Sequence, residues 1–365
     1  MSITISRFWS SIQSFLFSHL EQALGPISET DKKLASVLEL LRIEDFVPAP
    51  LRGFRGKPEF DRRPFARAFV AKAVLGLSQT KELIEVLGRS ETLRRICGWG
   101  PETRLPSEPT FSRVFAELSD SALPQRVHES LVKKQLGDGA VGHLARDATA
   151  IVARERPALK ERVPKQPKRG RGRPHRGETV TPKSPTRLQR QRAMTLEQMI
   201  EDLPTACDRG CKKNSKGRTE FWVGYKLHSD VADCGVPISL LFTSASTYDN
   251  QAAIPLAVMS SERVTAYYDL MDAAYDAGEI REQIASLGRV SIIDPRKTRN
   301  GVKPEMEPAQ RERFKSRTAV ERFYARLKDE FGIRTIFVRG PTKVFTHLMF
   351  AVLALAADQL LRLVT

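Results

Sequence analysis

Apolar residues recur at helical spacing through the first 136 positions and then give way to alternation. Phe8, Trp9, Ile12, Phe15, Leu16 and Leu20 predict an amphipathic helix over 5–20. That stretch has neither the basic leader nor the unbroken apolar run of a signal peptide. Leu34, Val37, Leu38 and Leu41 form one later stripe, and Phe65, Phe69, Ala73, Val74 and Leu77 another. Three shorter helices are predicted over 80–87, 90–97 and 107–118. The first is capped at Thr80 with Glu82 behind it and stops at Gly88; the last carries Phe111, Val114, Phe115 and Leu118 on one face. Residues 1–137 therefore read as an all-helical N-terminal domain. Short helices joined by tight turns fit a helix-turn-helix, with Thr110, Ser112 and Arg113 opening the helix that would enter a DNA groove. A plain helical bundle is the alternative.

From residue 138 the period changes to two. Residues 142–152, carrying Asp147, read as a strand; 221–231 and 236–244 read as a hairpin turning at Asp233-Cys234-Gly235. Strands at 264–271 and 290–293 flank a helix at 277–287, and helices at 318–331 and 345–363 close the chain. Strands first, then mixed strands and helices, predict an α/β domain over 138–365. The apolar run 348–357 falls well short of the ~20 residues a membrane span needs, so no membrane anchor is expected.

Composition changes this picture in one place. With 365 residues and 41% hydrophobic content the chain can build two or three real cores. Its net charge of +16 favours a polyanionic partner, and most of that charge is local. Residues 154–192 hold fourteen basic and three acidic residues, six prolines and no aromatic residue, a net of +11. Such a segment cannot bury enough apolar surface to order itself, so 154–215 reads as a flexible basic insert that grips phosphates. Within it Arg171-Gly172-Arg173-Pro174 looks like an AT-hook core, an extended Arg-Gly-Arg that fits a narrow A·T minor groove; a generic basic linker is the alternative. Four cysteines are too few for a disulfide framework and fit a reducing compartment. Cys207-x3-Cys211, with His228 and Cys234 downstream, is spaced too irregularly to lead to zinc. No glycine-rich phosphate loop is present.

Three acids stand where an apolar strand or helix should continue: Asp147, Asp272 and Glu321. Carboxylates gathered from distant parts of a chain suit hard divalent cations and leave positions open for phosphate. A pair of such ions ~3.5–4 Å apart can serve phosphodiester chemistry. Taken singly, each acid also fits a surface ion pair. Arg317, Glu321 and Lys328 share one helical face, with Val320, Phe323, Tyr324, Leu327 and Phe331 placed around the other side to anchor the helix to the sheet. That face fits a salt-bridge ladder or a metal ligand flanked by phosphate clamps, and spacing does not choose between them.

Four ordered blocks supply a resemblance. Arg317-x3-Glu321-x6-Lys328 is similar to the Y-x2-R-x3-E-x6-K signature of DDE transposases of bacterial insertion sequences, with Phe314 in place of the tyrosine. Asp272-Ala273-Ala274-Tyr275-Asp276 resembles the D-x-G-Y-D stretch, with Ala274 in place of glycine. Arg146-Asp147-Ala148-Thr149 resembles the first-acid strand and Gly224-Tyr225-Lys226-Leu227-His228 the G-Y-K-x-H strand. The resemblance covers roughly residues 140 to 365. It implies an RNase H-like mixed-sheet core with flanking helices, in which Asp147, Asp272 and Glu321 are the catalytic acids and hold two Mg2+ or Mn2+ ions. It further implies cleavage at the terminal inverted repeats, strand transfer into target DNA, Arg317 and Lys328 on the end DNA, and a homodimer in the DNA complex. Arg113, Arg171 and Arg173 would add DNA contacts. The implied setting is cytoplasmic, at the nucleoid when DNA-bound. The rival readings are a non-catalytic DNA-binding protein derived from a transposase and a metal-dependent nuclease of the same fold.

Overall fold

The computed structural model describes residues 3–49, 60–159, 184–213, 217–296 and 300–364. Helices come first: α1 (Ile3–Ser11) and α2 (Phe17–Leu24), joined by a π-helical turn over Ile12–Leu16, then α3 (Glu29–Leu41), α4 (Arg63–Val74), α5 (Thr80–Arg89), α6 (Glu91–Cys97), α7 (Glu108–Asp120) and α8 (Leu123–Leu136). Their ends follow local chemistry. Ser28 and Asp31 form a capping box on α3, and Ser90 closes α5 while its hydroxyl accepts from Leu93 N to open α6. Gln79, rather than Thr80, caps α5, because its side chain accepts from the Glu82 amide while Glu82 reaches back. Phe65, Phe69, Phe111, Phe115 and Trp99 meet largely edge-on at the centre of this region.

The second half runs β1 (Ala140–Val152), α9 (Arg187–Gln191), α10 (Leu196–Glu201), β2 (Asp208–Lys213), β3 (Thr219–Ala232), β4 (Pro237–Ser244), α11 (Ala253–Ser261), β5 (Thr265–Met271), α12 (Gly278–Ser286), β6 (Val290–Ile293), α13 (Pro308–Phe314), α14 (Thr318–Asp329) and α15 (Pro341–Arg362). The strands form one mixed sheet in the order β2-β3-β1-β5-β6, with β4 also on β3. β1 is antiparallel to β3 and parallel to β5, and β5 is parallel to β6. Helices cover both faces. This is the helical N-terminal region followed by an RNase H-like core with flanking helices that the sequence predicts.

Part of the segment 154–215 departs from the expected flexible insert. Residues 187–213 carry α9, α10 and β2. Thr186 and Thr195 build capping boxes, Arg187 and Arg190 pair with Asp202, and Leu188 and Met199 enter the core beside α11 and α12. Those apolar anchors offset the ordering entropy that the composition of the whole segment obscures. Arg171 and Arg173 lie outside the described residues.

α15 is apolar on all sides and long enough by composition to cross a membrane, yet nearly all of it is buried in the protein. It lies among α3, α4, α7 and α8, and Phe350 meets Phe69 and Phe115 at ring-centroid separations of 5.6 and 6.2 Å. The same apolar cluster continues through Tyr225, Leu227, Val320, Phe323 and Leu327 to the sheet. The helical region and the α/β region thus share one core.

Candidate active site

Alternation along β1 sends Arg146 and Asp147 to opposite faces of the sheet. Asp147 shares its face with its antiparallel neighbour Ser229, and Thr149 shares it with Leu227. The parallel pairing of β1 with β5 ends at Ala145 opposite Leu270; Asp147 and Asp272 each lie two residues further on. The two aspartates therefore stand at the same level and on the same face, Asp147 within β1 just past the end of its pairing with β5 and Asp272 just past the end of β5. Asp272 also caps the short 3-10 turn Ala273–Tyr275, its carboxylate accepting from Ala274 N at 2.8 Å. Gly224 makes the strand packing here possible. Its φ is +149°, and a Cβ would stand 2.1 Å from Ile151 O on β1, so the glycine of Gly224-Tyr225-Lys226-Leu227-His228 is required by the backbone.

α14 lies across this face. Arg317, just before it, donates from Nη1 to Glu321 Oε1 at 2.7 Å and from Nη2 to Asp147 Oδ2 at 3.1 Å. Lys328 donates to Thr149 Oγ1 at 2.6 Å. Between them the Tyr324 hydroxyl lies 2.8 Å from Asp147 O and 3.1 Å from Leu227 O, so it ties the helix to both strands beside the first acid. Burial pushes the Asp147 carboxyl up to about 6, a rise that the Arg317 guanidinium and the Ala148 amide only partly offset; Asp272 and Asp249 add to it. Burial lowers the Lys328 ammonium, and the neighbouring charges of Lys212 and Arg334 lower it further. Lys226, two residues before His228 on β3 and so on the other face, donates to Thr247 O and pairs with Asp249 Oδ1, both at 2.8 Å. Tyr275 is buried with its hydroxyl unpartnered, and its pKa is raised by burial and then by Asp249 and Asp147.

The opposite face holds a separate charge network. Arg146 grips Asp230 through Nε and Nη2, both at 2.7 Å, and Asp269 through Nη2 at 3.0 Å. Arg289 lies 3.2 Å from Asp269, and Ser260 donates to Asp230 at 2.7 Å. All four charged residues are buried. His228 sits on this face against Thr243 Oγ1, and burial drops its pKa to about 4, leaving the ring neutral at physiological pH.

The structure thus gathers Asp147, Asp272, Glu321, Arg317 and Lys328 on one side of the sheet. Arg113 is exposed on α7, 3.4 Å from Thr110 Oγ1. Tyr324, Thr149, Lys226, Asp249 and Tyr275 had no functional reading from the sequence. Thr149 was findable from its place two residues beyond Asp147, and Tyr324 from its helical spacing between Glu321 and Lys328.

As the side chains stand, no three acids, histidines or cysteines among the described residues converge on a common point, and Arg317 bridges Asp147 and Glu321. The donor chemistry nevertheless suits a hard divalent ion: all-oxygen ligands, two of them side by side, and one held electrically under-compensated by burial.

Residues 184–357 match the family described as "Transposase DDE domain", and residues 26–117 match "Transposase domain (DUF772)". The chain belongs to the DDE transposases. The DDE-domain match takes in Asp272, Glu321, Arg317 and Lys328 of the transposase, while Asp147 lies between the two matched stretches. No curated protein matches the transposase. The family generally uses a divalent metal.

Proposed function

We propose that this transposase cuts DNA at the ends of a mobile element and joins the freed 3′ hydroxyl to target DNA, with Asp147, Asp272 and Glu321 as its catalytic acids. The observation that carries the reading is the level placement of Asp147 and Asp272 where the parallel pairing of β1 and β5 ends, with Glu321 bound to Asp147 through one guanidinium. These three side chains would hold Mg2+ or Mn2+. When bound, two such ions activate the attacking oxygen and stabilise the leaving one. Tyr324 fixes the backbone that carries Asp147, and the turn bonded by Asp272 fixes the second acid. Arg317 and Lys328 present cations beside the acids, where a phosphodiester must lie. Arg113 and the basic stretch with Arg171 and Arg173 would add affinity away from the reacting phosphate. Joining two ends calls for two protomers, so the DNA complex is at least a homodimer.

The test uses labelled duplex carrying the inverted repeats that flank the coding region, incubated with the full chain and Mg2+ and resolved on a denaturing gel. Nicking at the repeat boundary is expected, with joined products, and both are expected to vanish in Asp272→Ala. Binding without cleavage in either Mg2+ or Mn2+ would move the assignment to a non-catalytic DNA-binding protein. Cleavage without joined products, even with a 3′ hydroxyl supplied, would move it to a nuclease.

A further inference from the structure

We propose that Arg317 holds the acid site shut in the free protein and that a DNA phosphate must draw it off before divalent ions bind, so that DNA precedes metal. This deepens the catalytic reading above and rests on it. The guanidinium spans Asp147 and Glu321 with contacts of 3.1 and 2.7 Å, and its side chain is only 16% exposed. An arginine stays protonated at any working pH, so this cation cannot leave by losing a proton. It leaves only for a better anion.

Two features show that the bridge is incomplete as well as present. Arg317 Nε is buried without a partner, although a fully satisfied arginine uses all its donors. Glu321 is more than half exposed, so one of the two carboxylates is held on the solvent side, where an incoming group can compete. Phosphate is the natural competitor, because its oxygens take the same forked donor pair as a carboxylate. The route for it is laid out on the same helix. Lys328, bonded to Thr149, lies along β1 from Asp147, with Lys212 and Arg334 within electrostatic reach. A strand drawn across those cations passes Arg317 and gives its donors a new anion, freeing Asp147 and Glu321.

The test is Mn2+ binding to the full chain, read as loss of the free-ion paramagnetic resonance signal, with and without duplex carrying the element's ends, and with binding to duplex alone subtracted. Wild-type protein alone is expected to bind weakly and to tighten at least tenfold when duplex is added. Arg317→Gln without DNA is expected to bind at least tenfold tighter than wild type without DNA. Arg317→Lys, whose single ammonium cannot span both acids, is expected to fall between them, and it serves if the glutamine variant fails to fold. Equal Mn2+ affinity of wild type and both variants without DNA would overturn the latch. Asp272→Ala binding Mn2+ as tightly as wild type in the presence of duplex would instead overturn the catalytic reading beneath it.

Discussion

The two faces of the sheet, one residue apart along β1, treat charge in opposite ways. On one face Arg146, Asp230, Asp269 and Arg289 are sealed from solvent with two positive and two negative charges in mutual contact. On the other, one arginine bridges Asp147 and Glu321, Asp272 stands beside Asp147, and the Asp147 carboxyl is held well above its usual pKa. The first arrangement balances its charges within the chain and ties three strands to one another. The second has one cation between two of its acids, and on the function proposed above divalent ions complete it. Neighbouring charged residues on β1, Arg146 and Asp147, thus differ in setting because of what the opposite strands and helices bring to each face. Asp269 on β5 and Asp272 just past its end repeat the contrast.

Breaking the sealed face should have the largest effect. Arg146→Met leaves Asp230 and Asp269 without their main partner, and a loss of about 3–5 kcal/mol in denaturant-unfolding stability is expected. A loss under ~1 kcal/mol would mean that the network is not the structural element described here.

On the open face the sign reverses. Asp147 has a folded-state pKa of about 6 against an ordinary value of 3.8, so the folded protein holds this proton more tightly than the unfolded chain. Below about pH 4 both states are protonated and nothing is lost; between pH 4 and 6 the unfolded state ionises first and stability falls; above 6 the cost is fully present. Asp147→Asn is therefore expected to stabilise the metal-free protein at pH 7.5 by at most about 3 kcal/mol and to do nothing at pH 4. Thermal unfolding at the two pH values checks this, and equal effects at both would refute the contrast between the faces.

Tyr324→Phe sharpens the comparison, because it deprives the backbone carbonyls of Asp147 and Leu227 of a shared donor without touching a charge. A stability loss of about 1–3 kcal/mol is expected, accompanied by a fall in cleavage rate at unchanged DNA affinity. If DNA affinity fell in step with the rate, Tyr324 would have to be reassigned to DNA binding. Lys328→Met should have the smallest effect, lowering the slope of log affinity for duplex against log salt by about one contact. An unaltered slope would remove Lys328 from the DNA path.

Much of this contrast could be read in the sequence, though unevenly. Alternation located β1, β3, β4, β5 and β6 within a few residues, because each buries one face more than the other or ends at a turn. α11 escaped notice because it is buried nearly all round and has no period to read. The spacing of Arg317 and Glu321 placed them on one helix face. It could not reveal that the guanidinium reaches Asp147, because that contact spans 170 positions and depends on α14 docking across β1. The level placement of Asp147 and Asp272 was hidden for the same reason: parallel register between distant strands leaves no local trace. Tyr324 was placed among the apolar anchors on the far side of its helix, whereas its hydroxyl bonds at the acids.

α15 has a consequence for how the protein is made. The ribosome releases it after every other described element, yet Phe350 and its neighbours occupy the middle of the aromatic cluster built by α4 and α7. The N-terminal helices therefore wait, with Phe69 and Phe115 uncovered, until more than two hundred further residues have been translated. Messages cut short by a premature stop or a frameshift would yield helices without their central filling. A decaying copy of the gene should thus lose its folded DNA-binding region together with its catalytic one, and should not leave behind a stable fragment that competes for the element's ends.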